Sequence, residues 1–380
     1  MFLMIWVNDF WTLKDIPKWL KHAGLEEDYL GFSDIIFPWF LFVMGMSIPF
    51  SIENRIIAGQ TKYKICKHIF FRAIALIIIG LFHMNMEMYN QNLSILSKPI
   101  FVLIATTAFF MIWNNADRIS QIKLFKKSVS VFGVIILVLL YFNFVGKDYD
   151  GNVIRFSIHW WGILGLIGWV YAFAAPAYLV MRKSIKLGYS ILFIFFILNI
   201  ISSAAIPYNI FSWQNPNWIP GGGGLHILTF AGILNSLFLM RFLENRDQKQ
   251  FYITLFLMAI GSLVLGFLFR EFFIINKIKG TITWILFSLS TAFVFFLFVH
   301  WVVDNKKIIS WYHPISTAGT ATLTCYLIPY YFYNINSILQ VSIPVVFLTG
   351  VLGLFKSLIY SYIIVLICKG LKTINIELKI

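Results

Sequence analysis

Long apolar runs alternate with short clusters of charged and turn residues along the whole chain. Bounded by those clusters, the runs fall near 1–11, 33–53, 66–84, 98–113, 128–145, 157–181, 188–206, 223–242, 251–269, 281–302, 316–333 and 343–368. Most approach the ~20 residues that a helix needs to cross a bilayer. The pattern therefore predicts an all-α fold: a polytopic membrane protein of about 10–12 transmembrane helices in one bundle, a single domain over residues 1–380. The first run, Met1–Val7, is far too short to span. The expectation is a first helix cut short, with the true start upstream of Met1.

Composition agrees with the pattern. Hydrophobic residues are 59% and charged residues 12%, with mean hydropathy +0.81, against about half and a quarter in soluble domains. A net charge of +14 would suggest nucleic acid in a soluble protein. Here the basic residues lie in short loops, so the partner is the lipid bilayer and no nucleic acid is expected. Arg55, Lys62, Lys64 and Lys67 follow the second run. Arg118, Lys123, Lys126 and Lys127 follow the fourth, and Arg182, Lys183 and Lys186 the sixth. Arg241, Arg246 and Lys249 follow the eighth, Lys306 and Lys307 the tenth, and Lys369 and Lys372 the last. The loops at 85–97, 146–156, 207–222 and 334–342 are poor in net positive charge. Positive-inside bias then places the C-terminus in the cytoplasm and the loop holding His22 outside. The loop at 270–280, with Arg270, Lys277 and Lys279, runs against this assignment.

Cys66, Cys325 and Cys368 form no CxxC pair, so neither a zinc site, nor any other metal, nor a disulfide framework is indicated. Cys325 reads as a small packing residue inside a span.

The stretch that carries most chemistry is His22–Glu53. A histidine in a polar loop is followed by Asp34, at the lip of the apolar run Ile35–Phe50. An ionisable group at the mouth of a membrane span is costly to keep and is a functional candidate. Imidazole, with a reference pKa of about 6.5, exchanges a proton near neutral pH. A carboxylate bonded to one ring nitrogen would fix its tautomer. Asn8, at the end of the first run, would orient a substrate or donate to a developing oxyanion. The competing reading makes His22 a plain loop residue and Asp34 a helix cap, with Ser33 an alternative cap that would free Asp34.

Asn276 and Lys277 fall at the same external mouth, as do Asp28, Asn85, Glu87 and Arg270. Trp160 and His226 lie at external helix ends, where interfacial placement and a sugar-binding role both account for them. On the cytoplasmic side Arg55, Arg72 and His68, with Lys64, are positioned to bind phosphates, or serve as topology signal. No P-loop, GxGxxG, HExxH or GxSxG context occurs.

MIWVND, WLKHAG and FSDIIFPWFLFVMGMSIPFSI, in that order, resemble the start of the heparan-alpha-glucosaminide N-acetyltransferase family, in its bacterial branch. FFRAIALIIIGLF, HWWGILGLIGWVYAF, GGGGLHILTFAGIL and the long segment from FFIINKIKG to HWVVD extend the resemblance over most of the chain. It implies an inner-membrane acyltransferase that uses cytosolic acetyl-CoA to acetylate a glucosamine-type amino sugar presented outside. His22 matches the family's active-site histidine, Asn8 its site asparagine, and Asp34 the aspartate before the Phe-Pro pair. Asn276 and Lys277 match its Asn-Lys pair, and a homodimer is implied. The family's Leu-Asp-x-x-Arg-Gly segment is missing before MIWVND, two extra spans lie before HWWGIL, and Thr320-Ala321 stands where an asparagine is common. Two other functions suit the sequence: a transporter of amino sugar or N-acetylglucosamine, and an O-acetyltransferase of envelope polysaccharide.

Overall fold

A computed structural model describes residues 1–114, 123–148, 150–204, 221–245 and 248–380. Arg118, Arg246 and most of the loop at 207–222, used above to orient the chain, lie outside the described residues.

Thirteen helices are described: α1 (Phe2–Asn8), α2 (Phe32–Ile57), α3 (Lys62–Met88), α4 (Lys98–Trp113), α5 (Lys123–Phe142), α6 (Gly162–Met181), α7 (Ile185–Ser203), α8 (Gly224–Asn245), α9 (Gln248–Arg270), α10 (Ile282–His300), α11 (Thr317–Thr320), α12 (Thr322–Leu339) and α13 (Gly350–Thr373). The all-α membrane fold read from the sequence holds. Each predicted apolar run falls on a helix, and eight helices among the described residues are long and apolar enough to cross a membrane. They are α2, α3, α6 to α9, α10 with its short extension to Asn305, and α13; α4 is apolar but only 16 residues long. The only described strands, β1 (Gly146–Lys147) and β2 (Val153–Ile154), pair antiparallel with Gly146 opposite Ile154.

The chain divides into two compact units. Unit 1 comprises Met1–Pro17, Ile77–Gly165 and Trp311–Ile380. Its core joins α1, α11, α12 and α13 through Ile5, Ala318, Ile328, Tyr360 and Ile364. Cys325 and Cys368 are free thiols buried in this core, and Cys325 packs there as the sequence leads one to expect.

Unit 2 comprises Lys18–Leu76 and Leu166–Ser310. Its centre is the crossing of α2 and α8. A Cβ on Gly45 would run into the Thr229 carbonyl, and one on Gly232 into the Phe42 carbonyl. Two glycines on facing helices thus bring the backbones together, the way lipid-embedded helices gain packing without a hydrophobic drive. The Ser236 hydroxyl donates to the Met46 carbonyl across the same crossing.

α2 carries Pro38 and Pro49 in its interior. A proline has no N–H, so Pro38 leaves the carbonyl of Asp34, four residues earlier, without its helical donor. The Trp284 indole of α10, itself fully buried, donates to that carbonyl at 3.2 Å. Trp39, one residue past the proline, donates to Thr291 of α10 at 3.0 Å. The proline therefore ties the start of α2 to α10 where Asp34 sits.

Candidate active site

α2 begins at Phe32 after Gly31, which has no room for a side chain against the Lys21 carbonyl. Asp34 in the first turn is fully buried. Its Oδ2 accepts the Gly31 N–H at 3.1 Å and the Ala23 N–H at 2.9 Å. Its Oδ1 accepts from His22 Nδ1 at 2.7 Å. The two roles weighed for Asp34, helix cap and histidine partner, are divided between its two oxygens. Ser33 caps nothing; its hydroxyl donates to the Leu20 carbonyl.

This bond fixes the histidine. A carboxylate can only accept, so Nδ1 carries the proton and Nε2 keeps its lone pair in the neutral ring. The His22 side chain is 45% exposed, and Nε2 makes no hydrogen bond among the described residues. Lys277 Nζ lies 3.7 Å from Asp34 Oδ1 and 3.1 Å from His22 Nδ1. With Nδ1 protonated, that second approach is a contact, and the carboxylate is the lysine's partner. Burial pulls the Lys277 ammonium below the ordinary lysine pKa, while Asp34 pulls it back up.

The loops at 18–31 and 271–281 hold these groups. Asn276 is fully buried. Its amide N–H groups face the carbonyls of Gly24, Leu25 and Glu27 at 3.2, 2.8 and 3.2 Å, and its Oδ1 accepts the Lys279 N–H. Asp28 accepts the Ile275 N–H at 2.7 Å and faces Arg270 at 3.4 Å, and Lys279 pairs with Glu26 at 3.0 Å. The three cations that ran against the positive-inside assignment thus each face a carboxylate of the 26–34 segment: Arg270 with Asp28, Lys277 with Asp34, Lys279 with Glu26.

A second polar cluster lies at the other end of α2. Arg55 donates to His68 Nε2 at 2.8 Å and to Gln60 at 3.3 Å. The Arg72 guanidinium sits over the Tyr171 ring, 5.1 Å from its centroid, and its buried Nε has no hydrogen-bond partner. Among the described residues neither arginine pairs with a carboxylate; Glu53 is taken by Arg182 at 2.6 Å and by Tyr178. Arg55 and His68 are thus in direct contact, and the Arg72 charge also acts on the His68 ring.

Three other residues expected at the site have surroundings of their own. His226 is buried in α8, stacked on Phe195 with ring centroids 4.4 Å apart. Asn8 and Trp160 belong to unit 1. Asn8 is exposed at the end of α1 and makes no side-chain hydrogen bond among the described residues; Trp160 is half-buried. What the sequence reading missed is the neighbour of Asn8. Asp9 is buried and bonded to Tyr333 at 2.6 Å, to Lys356 at 2.7 Å and to the Ser357 hydroxyl. A separation of more than 300 residues hid that cluster.

Apolar helices long enough to span a bilayer, with a carboxylate-held histidine beside the start of one of them, define a polytopic membrane protein. No family model matches the chain. It is similar to the heparan-alpha-glucosaminide N-acetyltransferase of Homo sapiens, 33% identical over 89 residues, 22% of this chain and 12% of that protein. The Mus musculus protein of the same name is 33% identical over 87 residues, again 22% and 12%. The chain is thus related to that family, and the match spans about an eighth of the length of these curated relatives.

Proposed function

We propose that the protein is a membrane acyltransferase that moves an acetyl group from acetyl-CoA to the amine of a glucosamine-type sugar. The observation that carries this reading is the His22–Asp34 bond, which presents an unprotonated Nε2 at an exposed face. The relatives' printed activity, N-acetyl transfer to a glucosaminide, supplies the reaction class.

In the transfer the sugar amine attacks the thioester carbonyl carbon. A C–N bond forms, the C–S bond breaks, and CoA leaves as thiolate. His22 Nε2 takes the proton from the attacking nitrogen and returns one to the thiolate. Asp34 holds the ring's tautomer and balances the imidazolium while it lasts. An acetyl group carried on Nε2 as a covalent intermediate uses the same exposed nitrogen. Lys277 donates to a sugar hydroxyl or to the developing oxyanion, and Asn276 keeps the His22 loop in place.

Arg55, Arg72 and His68 would hold the CoA phosphates. Asp34 and Arg55 are separated along α2 by about 30 Å at 1.5 Å per residue, the thickness of a hydrocarbon core. That fits donor entry from the cytoplasm and acceptor on the far side, with a cytoplasmic C-terminus. A homodimer and an inner-membrane location belong to the same reading.

The test supplies acetyl-CoA and glucosamine to the purified protein in vesicles and follows free CoA and N-acetylated sugar. Wild type should release both in equal amounts, and His22→Ala should release neither while unfolding at the same temperature. Sugar uptake without CoA release would replace this reading with a transporter. CoA release with a polysaccharide hydroxyl acceptor only would make it an O-acetyltransferase.

A further inference from the structure

Unit 1 contains a cavity of about 740 Å³ that the acyl-transfer chemistry does not use. Its size is in the upper range of small-molecule sites. One wall is apolar and built from α12, α13 and the turn that precedes α13: Phe332, Phe347, Leu352, Phe355 and Ile359. These side chains are 40–59% exposed, and α13 is long and apolar enough to cross a membrane. Such a wall opens toward acyl chains rather than water.

The floor is different. Asp9, Thr12, Tyr333, Lys356 and Tyr360 meet there. Asp9 and Lys356 neutralise each other at 2.7 Å, and Lys356 also donates to Thr12 at 3.0 Å. The ammonium has a third N–H, and its side chain is 20% exposed. The Tyr360 hydroxyl is buried beside Tyr333, whose own hydroxyl is committed to Asp9. A hydroxyl has one donor and two acceptor sites, so Tyr360 keeps capacity for a further polar partner from the cavity. At the rim Trp11 is 73% exposed and braced edge-on against Tyr333, ring centroids 5.4 Å apart. An exposed indole set against a second ring in this way offers its face to the apolar side of a sugar ring.

We infer that this cavity binds a membrane lipid with an uncharged sugar head, its acyl chains along α12 and α13 and its hydroxyls on Lys356 and Tyr360 under Trp11. Charge decides against an anionic lipid. The only described charges on the cavity wall are the paired Asp9 and Lys356, so a phosphate would enter without a free counter-ion and close to the Asp9 carboxylate. A sugar head needs mixed donors and acceptors and no net charge, which is what Lys356, Tyr360, Asn336 and Ser337 offer. This site stands apart from the acyl-transfer reading and does not depend on it.

The experiment is native mass spectrometry of the full chain in a detergent without a sugar head, titrated with glucosyl diacylglycerol and, separately, phosphatidylglycerol. The glycolipid should bind at least tenfold more tightly. Trp11→Ala, at an exposed position, should lower its affinity about tenfold, and Leu352→Trp should block it by filling the wall. Both variants should keep the wild-type unfolding temperature and CoA release. Equal or tighter binding of phosphatidylglycerol, glycolipid affinity untouched by both variants, or loss of a dimer on substituting either residue would overturn the assignment, the last by making the cavity a contact between copies.

Discussion

Asp34 in unit 2 and Asp9 in unit 1 are the same kind of object in different employment. Each carboxylate is buried, each has a lysine within 4 Å, and each collects further donors. The difference is what hangs on the outer end. Asp9 is closed by hydroxyls, those of Tyr333 and Ser357, and by an ammonium that also spends a bond on Thr12. None of those hydroxyls exchanges a proton easily near neutral pH. Asp34 spends one oxygen on backbone N–H groups and the other on an imidazole that is 45% exposed. A buried ionised group is therefore not a site in itself. It becomes one when its fixed charge is handed to a titratable group that substrate can reach.

The largest effect that sharpens this contrast is on turnover. Asp34→Asn keeps the side-chain shape but lets the amide donate to His22, which reverses the tautomer and takes the lone pair from Nε2. CoA release should fall about 10³–10⁴-fold, the scale seen when a histidine's orienting carboxylate is lost. His22→Ala should fall as far, and the double variant no further, because the two act as one unit. A rate for Asp34→Asn within tenfold of wild type would remove His22 from the chemistry.

Next comes stability. Asp9→Ala leaves Lys356, only 20% exposed, without its counter-ion, which should cost about 3–5 kcal/mol. Replacing the pair together, Asp9→Leu with Lys356→Met, should recover most of that loss, since apolar substitutes for a buried ion pair are often neutral. Chemical unfolding in detergent reads both. A loss below about 1 kcal/mol for Asp9→Ala would mean that its partners hold the unit without it.

Much of this was legible before the fold. The apolar runs located every long helix among the described residues because lipid demands satisfied backbone groups over a fixed thickness. His22 and Asp34 stand twelve residues apart, one turn-rich loop from each other, so their meeting was within reach of local reading. The Pro38 device was visible as a Phe-Pro pair, but its partner Trp284 comes from 250 residues away and was not. Asp9 was passed over for Asn8 for the same reason: Tyr333, Lys356 and Ser357 reach it only through tertiary structure. The cations of loop 270–280 are each paired with a carboxylate of the 26–34 segment, and pairing is invisible to a sum of Lys and Arg. The close crossing of Gly45 and Gly232 is likewise a relation between helices that no single run shows.

The smallest effect is also the most specific to the Asp34 side of the comparison. Burial holds the Lys277 ammonium below its ordinary pKa, with Asp34 opposing. The unfolded chain, with a lysine near 10.4, keeps its proton to higher pH than the folded one. Between the folded value and about 10.4 the unfolded state therefore binds more protons, and stability rises with pH. Below that window both states are protonated, and the folded state carries the full penalty of a buried cation. The slope from one such group cannot exceed about 1.4 kcal/mol per pH unit. Lys277→Met should abolish this alkaline rise. Measuring unfolding free energy from neutral pH to about pH 10.4 for wild type and variant isolates the contribution, because all other titrating groups are common to both. Identical curves would mean that the Lys277 ammonium is solvated in the folded protein. The pairing with Asp34 at 3.7 Å would then be a surface contact, and the burial assigned to Lys277 beside His22 would be wrong.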